Sequence, residues 1–321
     1  MRYNWQHPEW PTFKYNMSPL QDLLYAYVKN AGLLSATFQN IDGELSQDAR
    51  IEHMTEEALH TSHIEGENIN PEEIRSSIRN QLQLNSPYVT VKDHRATGIT
   101  ALLLAAQQSF SDPLSAAMLG HWHTLLFQNE QRLFNPITNI GYWRTHSEPM
   151  QIIGGPIGKT TVFFEAPPAE RVPEEMAHFI SWFNHPETIL LPGPIRAGIA
   201  HLYFESIHPF EDGNGRIGRA IAEKALSQEL GYPCLFSLSK AINSTRKEYY
   251  DTLNTSSGNT LDITEWLTYF VRTVSQAQQS VEATVRFVIA KAKILEKLRR
   301  TLTPKTRKNH QTYVTVRRRG L

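Results

Sequence analysis

The stretch IRAGIAHLYFESI (195–207) is apolar almost throughout and reads as a helix, and it runs without a break into HPFEDGNGRIGR (208–219). The second run reverses the character of the first. A histidine and a proline open it, an acid precedes two glycines that flank one asparagine, and two arginines close it. A chain that places this much polar, flexible chemistry directly behind an apolar helix must fold so that the junction meets a ligand or a surface.

The rest of the chain is mostly helical in pattern. LQDLLYAYVKNAGLLSATF (20–38) repeats apolar residues at three and four. Further helices are expected over 49–64, after Pro71, over 91–110, 114–128, 172–185, 195–207, about 215–230, about 239–253 and 262–285. The first 20 residues, rich in Trp, Pro, Tyr and Phe, read as an irregular segment held by aromatic burial. Between 129 and 170 the helical habit breaks, and GGPIGKTTVFFEAPP (154–168) reads as a short β-hairpin or flap. The class is therefore mostly α with one β excursion, and no internal repeat is present.

The run 208–219 has a physical logic. Gly213-Asn214-Gly215 can turn successive N–H groups toward an anion, because glycine tolerates positive φ. A helix starting near Asn214 adds its free N–H groups and its dipole to the same place. Arg216 and Arg219, three apart, share a helix face and suit phosphate oxygens. Asp212 is an oxygen ligand beside that anion site, as Mg²⁺ bridging phosphates requires. His208 titrates near ~6.5 when unperturbed, which suits a general base.

HPFEDGNGRIGR resembles the signature of the Fic (Fic/Doc) family at every fixed position. The chain from about 95 to 275 is similar to the all-helical core of that family, and YNWQHPEWPTFKYN resembles a small domain found ahead of bacterial members. The resemblance implies a Fic-type helical bundle core with a short β-hairpin flap, an N-terminal helical domain and a basic C-terminal tail. The expected divisions are 1–90, 91–275 and 276–321, the last a helix and basic tail readable as a truncated winged helix, a disordered arm or a partner segment. The implied activity is transfer of AMP from ATP to a Tyr, Ser or Thr hydroxyl of a target protein. His208 would be the base, Asp212 the Mg²⁺ ligand, and Gly213, Asn214 and Gly215 the phosphate cradle. Arg216 would stabilise charge toward the leaving pyrophosphate, and Arg219 would hold the γ-phosphate. Tyr249 and Tyr250 are candidates to border the adenine, or core aromatics. The extended edge at Thr160, Thr161, Val162 and Phe163 would pair with target backbone. A homodimer is compatible with the family and has no motif of its own here.

TSHIEGEN (61–68) resembles the family's inhibitory pattern through Thr61, Glu65 and Gly66. By that resemblance Glu65 pairs with Arg219 and denies the γ-phosphate its partner. Some members use the same glutamate to remove AMP, so AMP removal at this site is the alternative enzymatic reading.

Other signals bound the function. GGPIGKT misses the P-loop spacing, with Ile153 where a glycine is needed and a strand pattern following Lys159. His60, His63, His121 and His123 lack cysteine partners or an HExxH frame and are read as surface or core residues, and His201 as structural. Cys234 is the single cysteine, so no disulfide can form within the chain. No apolar h-region opens the sequence and no run is long enough for a membrane span, so the expectation is a cytoplasmic chain away from membranes. Net charge is zero, yet 291–321 holds eleven Lys/Arg against one acid, Glu296. That tail makes DNA binding the reading from a different class.

Overall fold

The structure, a computed structural model, describes residues 2–38, 43–85, 87–128, 136–154 and 161–281. Among them, eleven helices are bounded as follows: α1 (Gln21–Phe38), α2 (Gly43–Ile64), α3 (Pro71–Gln81), α4 (His94–Gln108), α5 (Ala116–Phe127), α6 (Val172–Asn184), α7 (Pro186–Ile189), α8 (Gly193–Ile207), α9 (Asn214–Leu230), α10 (Leu238–Ser244) and α11 (Arg246–Ser257). A further helix, α12, covers 264–281. The chain is mostly α, with one two-stranded antiparallel sheet among the described residues.

The local signals account for most ends. Asp93, Ser115 and Ser237 cap α4, α5 and α10 by accepting from the N–H groups of Arg95, Met118 and Lys240. Asn70 accepts from Glu72 N–H and Pro71 takes the first helical position of α3. Two helical expectations change. α2 starts at Gly43, ahead of the predicted 49. The predicted helix over 239–253 is two helices, because the Ser244 and Thr245 hydroxyls bond back to Ala241 and Ile242 carbonyls and the chain breaks at Thr245.

Every residue of α8 is buried. One apolar cluster runs from Leu20 to Ala277 with α8 and α9 at its centre. Gly198 lets α8 approach α12: a Cβ there would lie 2.8 Å from Leu267 Cδ2, and Trp266 Nε1 donates to Gly198 O at 2.8 Å.

Of the N-terminal aromatics Tyr3 is buried, and Trp5, Trp10, Phe13 and Tyr15 are partly buried against the body. Trp10 packs edge-on against Tyr203 with centroids 5.1 Å apart, and Lys14 N–H donates to Leu261 O. Tyr3 meets Phe164 at 5.2 Å and Trp5 Nε1 donates to Glu165 O at 2.7 Å, which fastens the hairpin to the body. In the hairpin, β1 (Gln151–Gly154) pairs with β2 (Thr161–Glu165), and a bulge opposite Ile152/Ile153 leaves Phe163 without a partner in the register. Strand β2 follows the GGPIGKT run, where a P-loop needs a helix. Thr160 and the tail 282–321 lie outside the described residues.

Candidate active site

The junction of α8 and α9 is the candidate site. His208 ends α8 in the left-handed region, at φ 51° and ψ 60°, and its N–H still donates to Phe204 O. Gly213, at φ 80°, starts α9. The first intrahelical bond of α9 is Ile217 N–H to Gly213 O, so the earlier N–H groups form a helix N-terminus. Asp212 takes a hydrogen bond from Gly213 N–H through Oδ1, which also lies 3.5 Å from Arg216 Nη2.

The loop between the two helices is braced from inside. Asn214 is buried, and its side chain both accepts from Phe210 N–H and donates to Phe210 O, each at 2.9 Å. Its side chain therefore holds the loop, and it is its backbone that stands at the start of α9. Phe210 is buried and stacks on His123 with centroids 4.2 Å apart. His123 accepts from Gly141 N–H at Nδ1 (2.9 Å) and faces Asp212 O through Nε2 (3.3 Å), so both its nitrogens serve backbone. His201 meets Tyr249 Oη at 2.8 Å.

The two arginines are buried and each meets a carboxylate from the end of α2. Arg219 Nη2 donates to Glu65 Oε1 at 2.7 Å and to Thr61 O at 3.1 Å, and its Nε donates to Thr61 Oγ1 at 2.8 Å. Gly215 makes this pair possible, since a Cβ there would lie 2.2 Å from Glu65 Oε1. Arg216 Nη1 donates to both oxygens of Glu67 at 3.0 Å, and its guanidinium lies 5.2 Å from the Phe127 ring centroid. Gly66, at φ 81°, turns the chain between the two glutamates. The sequence reading missed Glu67, although its EGE spacing straddles a helix-ending glycine.

Tyr249 is buried in the core, while half-buried Tyr250 donates to Ile64 O at 3.1 Å, beside Arg246 Nη2 on the same carbonyl at 2.7 Å. Val162 and Phe163 lie on the hairpin, with Phe163 47% exposed. Thr161 contributes backbone to β2.

Electrostatics separate the groups. Burial, with the Arg144 cation next, pushes His208 down to about 4, so its imidazole is neutral near pH 7. Burial opposes the charge on Arg219, but Glu65 leads the groups that override it and hold it protonated. Burial raises Glu205 to about 8, and its Oε2 lies 3.7 Å from His208 Nδ1. The Asp212 side chain is about a third exposed, and one carboxylate beside a helix N-terminus fits Mg²⁺, which keeps its waters and shares phosphate oxygens.

A model described as the Fic/DOC family matches residues 113–226. The chain carries a Fic/DOC family domain. A second model, described as a domain of unknown function (DUF4172), matches residues 3–84. The chain is similar to protein adenylyltransferase fic-1 of Caenorhabditis briggsae, 30% identical over 112 residues, which is 34% of this chain and 21% of that protein. It is also similar to protein adenylyltransferase Fic of Aedes aegypti, 37% identical over 78 residues, 24% of this chain and 15% of that one. The chain thus spans 21% and 15% of the lengths of these two curated relatives. Two solved structures share the fold. A Fic family protein from Desulfovibrio desulfuricans G20 has a TM-score of 0.64 at 22% identity, covering 83% of this chain and 75% of that one. Fic-1 of C. elegans (residues 134–508) has 0.58 at 22%, covering 85% and 73%.

Proposed function

We propose that this chain is a protein adenylyltransferase that moves AMP from ATP to a Tyr, Ser or Thr hydroxyl of a target protein, restrained by the end of its own helix α2. The observation that carries this reading is the meeting, between α8 and α9, of a neutral buried imidazole, a carboxylate, a helix N-terminus and two buried arginines. His208 takes the hydroxyl proton. The freed oxygen attacks the α-phosphorus, the bond to the β-phosphate oxygen breaks, and pyrophosphate leaves. The N–H groups at 213–215 and the two guanidinium groups stabilise charge that moves toward the leaving group. The polyphosphate beside His208 raises its basicity from the depressed value of the free chain. Asp212 would hold Mg²⁺, which neutralises phosphate charge when bound. The edge of β2 supports backbone pairing with the target.

Glu65 and Glu67 occupy the guanidinium groups that ATP phosphates would engage, so the restraint has two contacts. AMP removal at the same site is the second reading. It is favoured by the Glu65 carboxylate, which bonds Arg219 through Oε1 and is 30% exposed, within reach of a water. A cytoplasmic setting, a homodimer and DNA contact through 291–321 remain expectations with no described residue behind them.

The test follows label from α-labelled ATP with Mg²⁺ onto protein. Strong labelling in Glu65→Gly, weak labelling in the parent and none in Glu65→Gly/His208→Ala is the expected pattern. No label in any form, with ATP bound, overturns AMP transfer. Salt-sensitive DNA binding lost on removing 291–321, again with no label, would favour the regulator instead.

A further inference from the structure

We infer that Arg144 is the positioning residue that holds His208 in its left-handed conformation and fixes it relative to the hairpin. This rests on the reading of His208 as the base. Arg144 is buried and its side chain donates to backbone carbonyls: Nε to His208 O at 2.8 Å, and Nη2 to Ile207 O at 3.4 Å and to Pro167 O. Its own N–H donates to Pro209 O at 2.9 Å. One residue therefore brackets 207–209 from both main chain and side chain.

Three features make this more than an ordinary helix cap. His208 is one of two non-glycine residues at positive φ among the described residues, a conformation that a histidine keeps only when its surroundings impose it. The carbonyls at the end of α8 lack intrahelical partners, and a cation there meets both the open acceptors and the negative end of the dipole. The third carbonyl, Pro167 O, belongs to the segment that leaves β2. The same guanidinium thus ties the base to the strand expected to present the target hydroxyl. Among the described residues no carboxylate lies within ion-pair distance of Arg144, and Glu170 acts on it only from farther away.

Arg144 is itself anchored. Glu211 accepts from Thr138 N–H at 2.7 Å, Thr138 Oγ1 at 2.6 Å and Asn139 Nδ2 at 2.6 Å, and His123 accepts from Gly141 N–H. The loop ahead of Arg144 is therefore bonded to the motif it serves. The charged and titratable groups around His208 are Arg144, Glu205 on its own helix, Glu65 from the end of α2, and Asp212. Of these, Arg144 is the cation, and its removal moves the imidazole toward easier protonation.

The experiment uses the full chain in the Glu65→Gly background with Arg144→Met and Arg144→Lys. Arg144→Met is expected to cut the rate of AMP transfer by about 10-fold to 100-fold, the effect of misplacing a reacting group by about 1 Å, with the ATP Kd within about twofold. The His208 imidazole, followed by NMR in the ATP-free chain, is expected to titrate at higher pH in Arg144→Met than in the parent. Arg144→Lys keeps the charge but not the fork, so it should leave that titration in place and still lose rate. Where Arg144→Met fails to fold, Arg144→Lys decides. Parental transfer rates, or ATP affinity lost in step with rate, overturn the inference. An unlabelled Glu65→Gly parent counts against AMP transfer itself. The His208 titration then judges Arg144 alone, and an unmoved titration in Arg144→Met overturns it.

Discussion

Helices α8 and α9 lie side by side at the centre of one core, yet they are buried by different means. α8 is enclosed mainly through apolar contact, with Ile195, Leu202, Phe204 and Ile207 fully covered, although Arg196, His201 and Glu205 are buried in it too. α9 carries Arg216, Arg219, Glu223 and Lys224 inside the protein. Each of those cations is met by a segment distant in sequence. Glu67 and Glu65 meet the arginines, the Ser109 and Phe110 carbonyls receive Lys224, and Glu223, buried beside Glu57 of α2, is pushed well above the usual carboxylate range and so sheds its charge instead. Burying a charge is tolerable only with such partners. The apolar helix therefore supplies stability, whereas the charged helix supplies a site whose state depends on who answers its charges.

The contrast can be tested at decreasing scale. The largest effect should come at the junction, where His208→Ala in the Glu65→Gly background lowers AMP transfer by about 10³-fold, within the range of a lost general base. ATP affinity should hardly change. Transfer at the parental rate would remove His208 from the chemistry.

On the apolar side, Leu202→Ala should destabilise the fold by about 2–5 kcal/mol in chemical denaturation, the cost of a buried cavity. The folded fraction should keep its restraint. Relief of the restraint by Leu202→Ala would mean that the two helices do not divide their roles in this way.

On the charged side, Glu65→Gly should raise AMP transfer by about 10-fold to 100-fold. It should also lower the melting temperature of the ATP-free chain, because Arg219 loses its partner. Mg²⁺-ATP should restore more stability to this variant than to the parent. Adding Glu67→Ala should raise transfer by about a further fivefold, equivalent to ~1 kcal/mol. No increment would reduce Glu67 to a surface contact.

The smallest effect concerns acid. Burial holds His53, His123 and His208 near 4 and His201 near 3, below the ordinary 6.5. Between about pH 6.5 and 4 the unfolded chain binds protons that the folded chain refuses, so these histidines make stability fall as pH drops through that window. His123→Gln should remove less than one proton from that slope, read as a smaller stability difference between pH 7 and pH 5. An unchanged slope would show that His123 titrates normally.

The twelve residues of the motif stand out because their chemistry is local: a histidine, an acid, two glycines and two arginines at fixed spacing. Glu65 was legible through its own short pattern. Glu67 and Arg144 were not, because a lone glutamate after a helix end and a lone arginine after a loop carry no local signal. Their meaning comes from the partner each one reaches, Arg216 for the first and the carbonyls of 207, 208 and 167 for the second.

By itself the sequence determined a mostly helical chain, its hairpin, the apolar helix and the motif behind it, since periodicity, capping and glycine chemistry act over a few residues. Only the tertiary structure decided that Asn214 braces its own loop, that two carboxylates just past α2 close on two arginines of α9, and that Arg144 bonds the backbone of 207–209. Those outcomes depend on groups far apart in the chain being buried together, and a buried charge or an open carbonyl takes whichever partner the packing brings within reach.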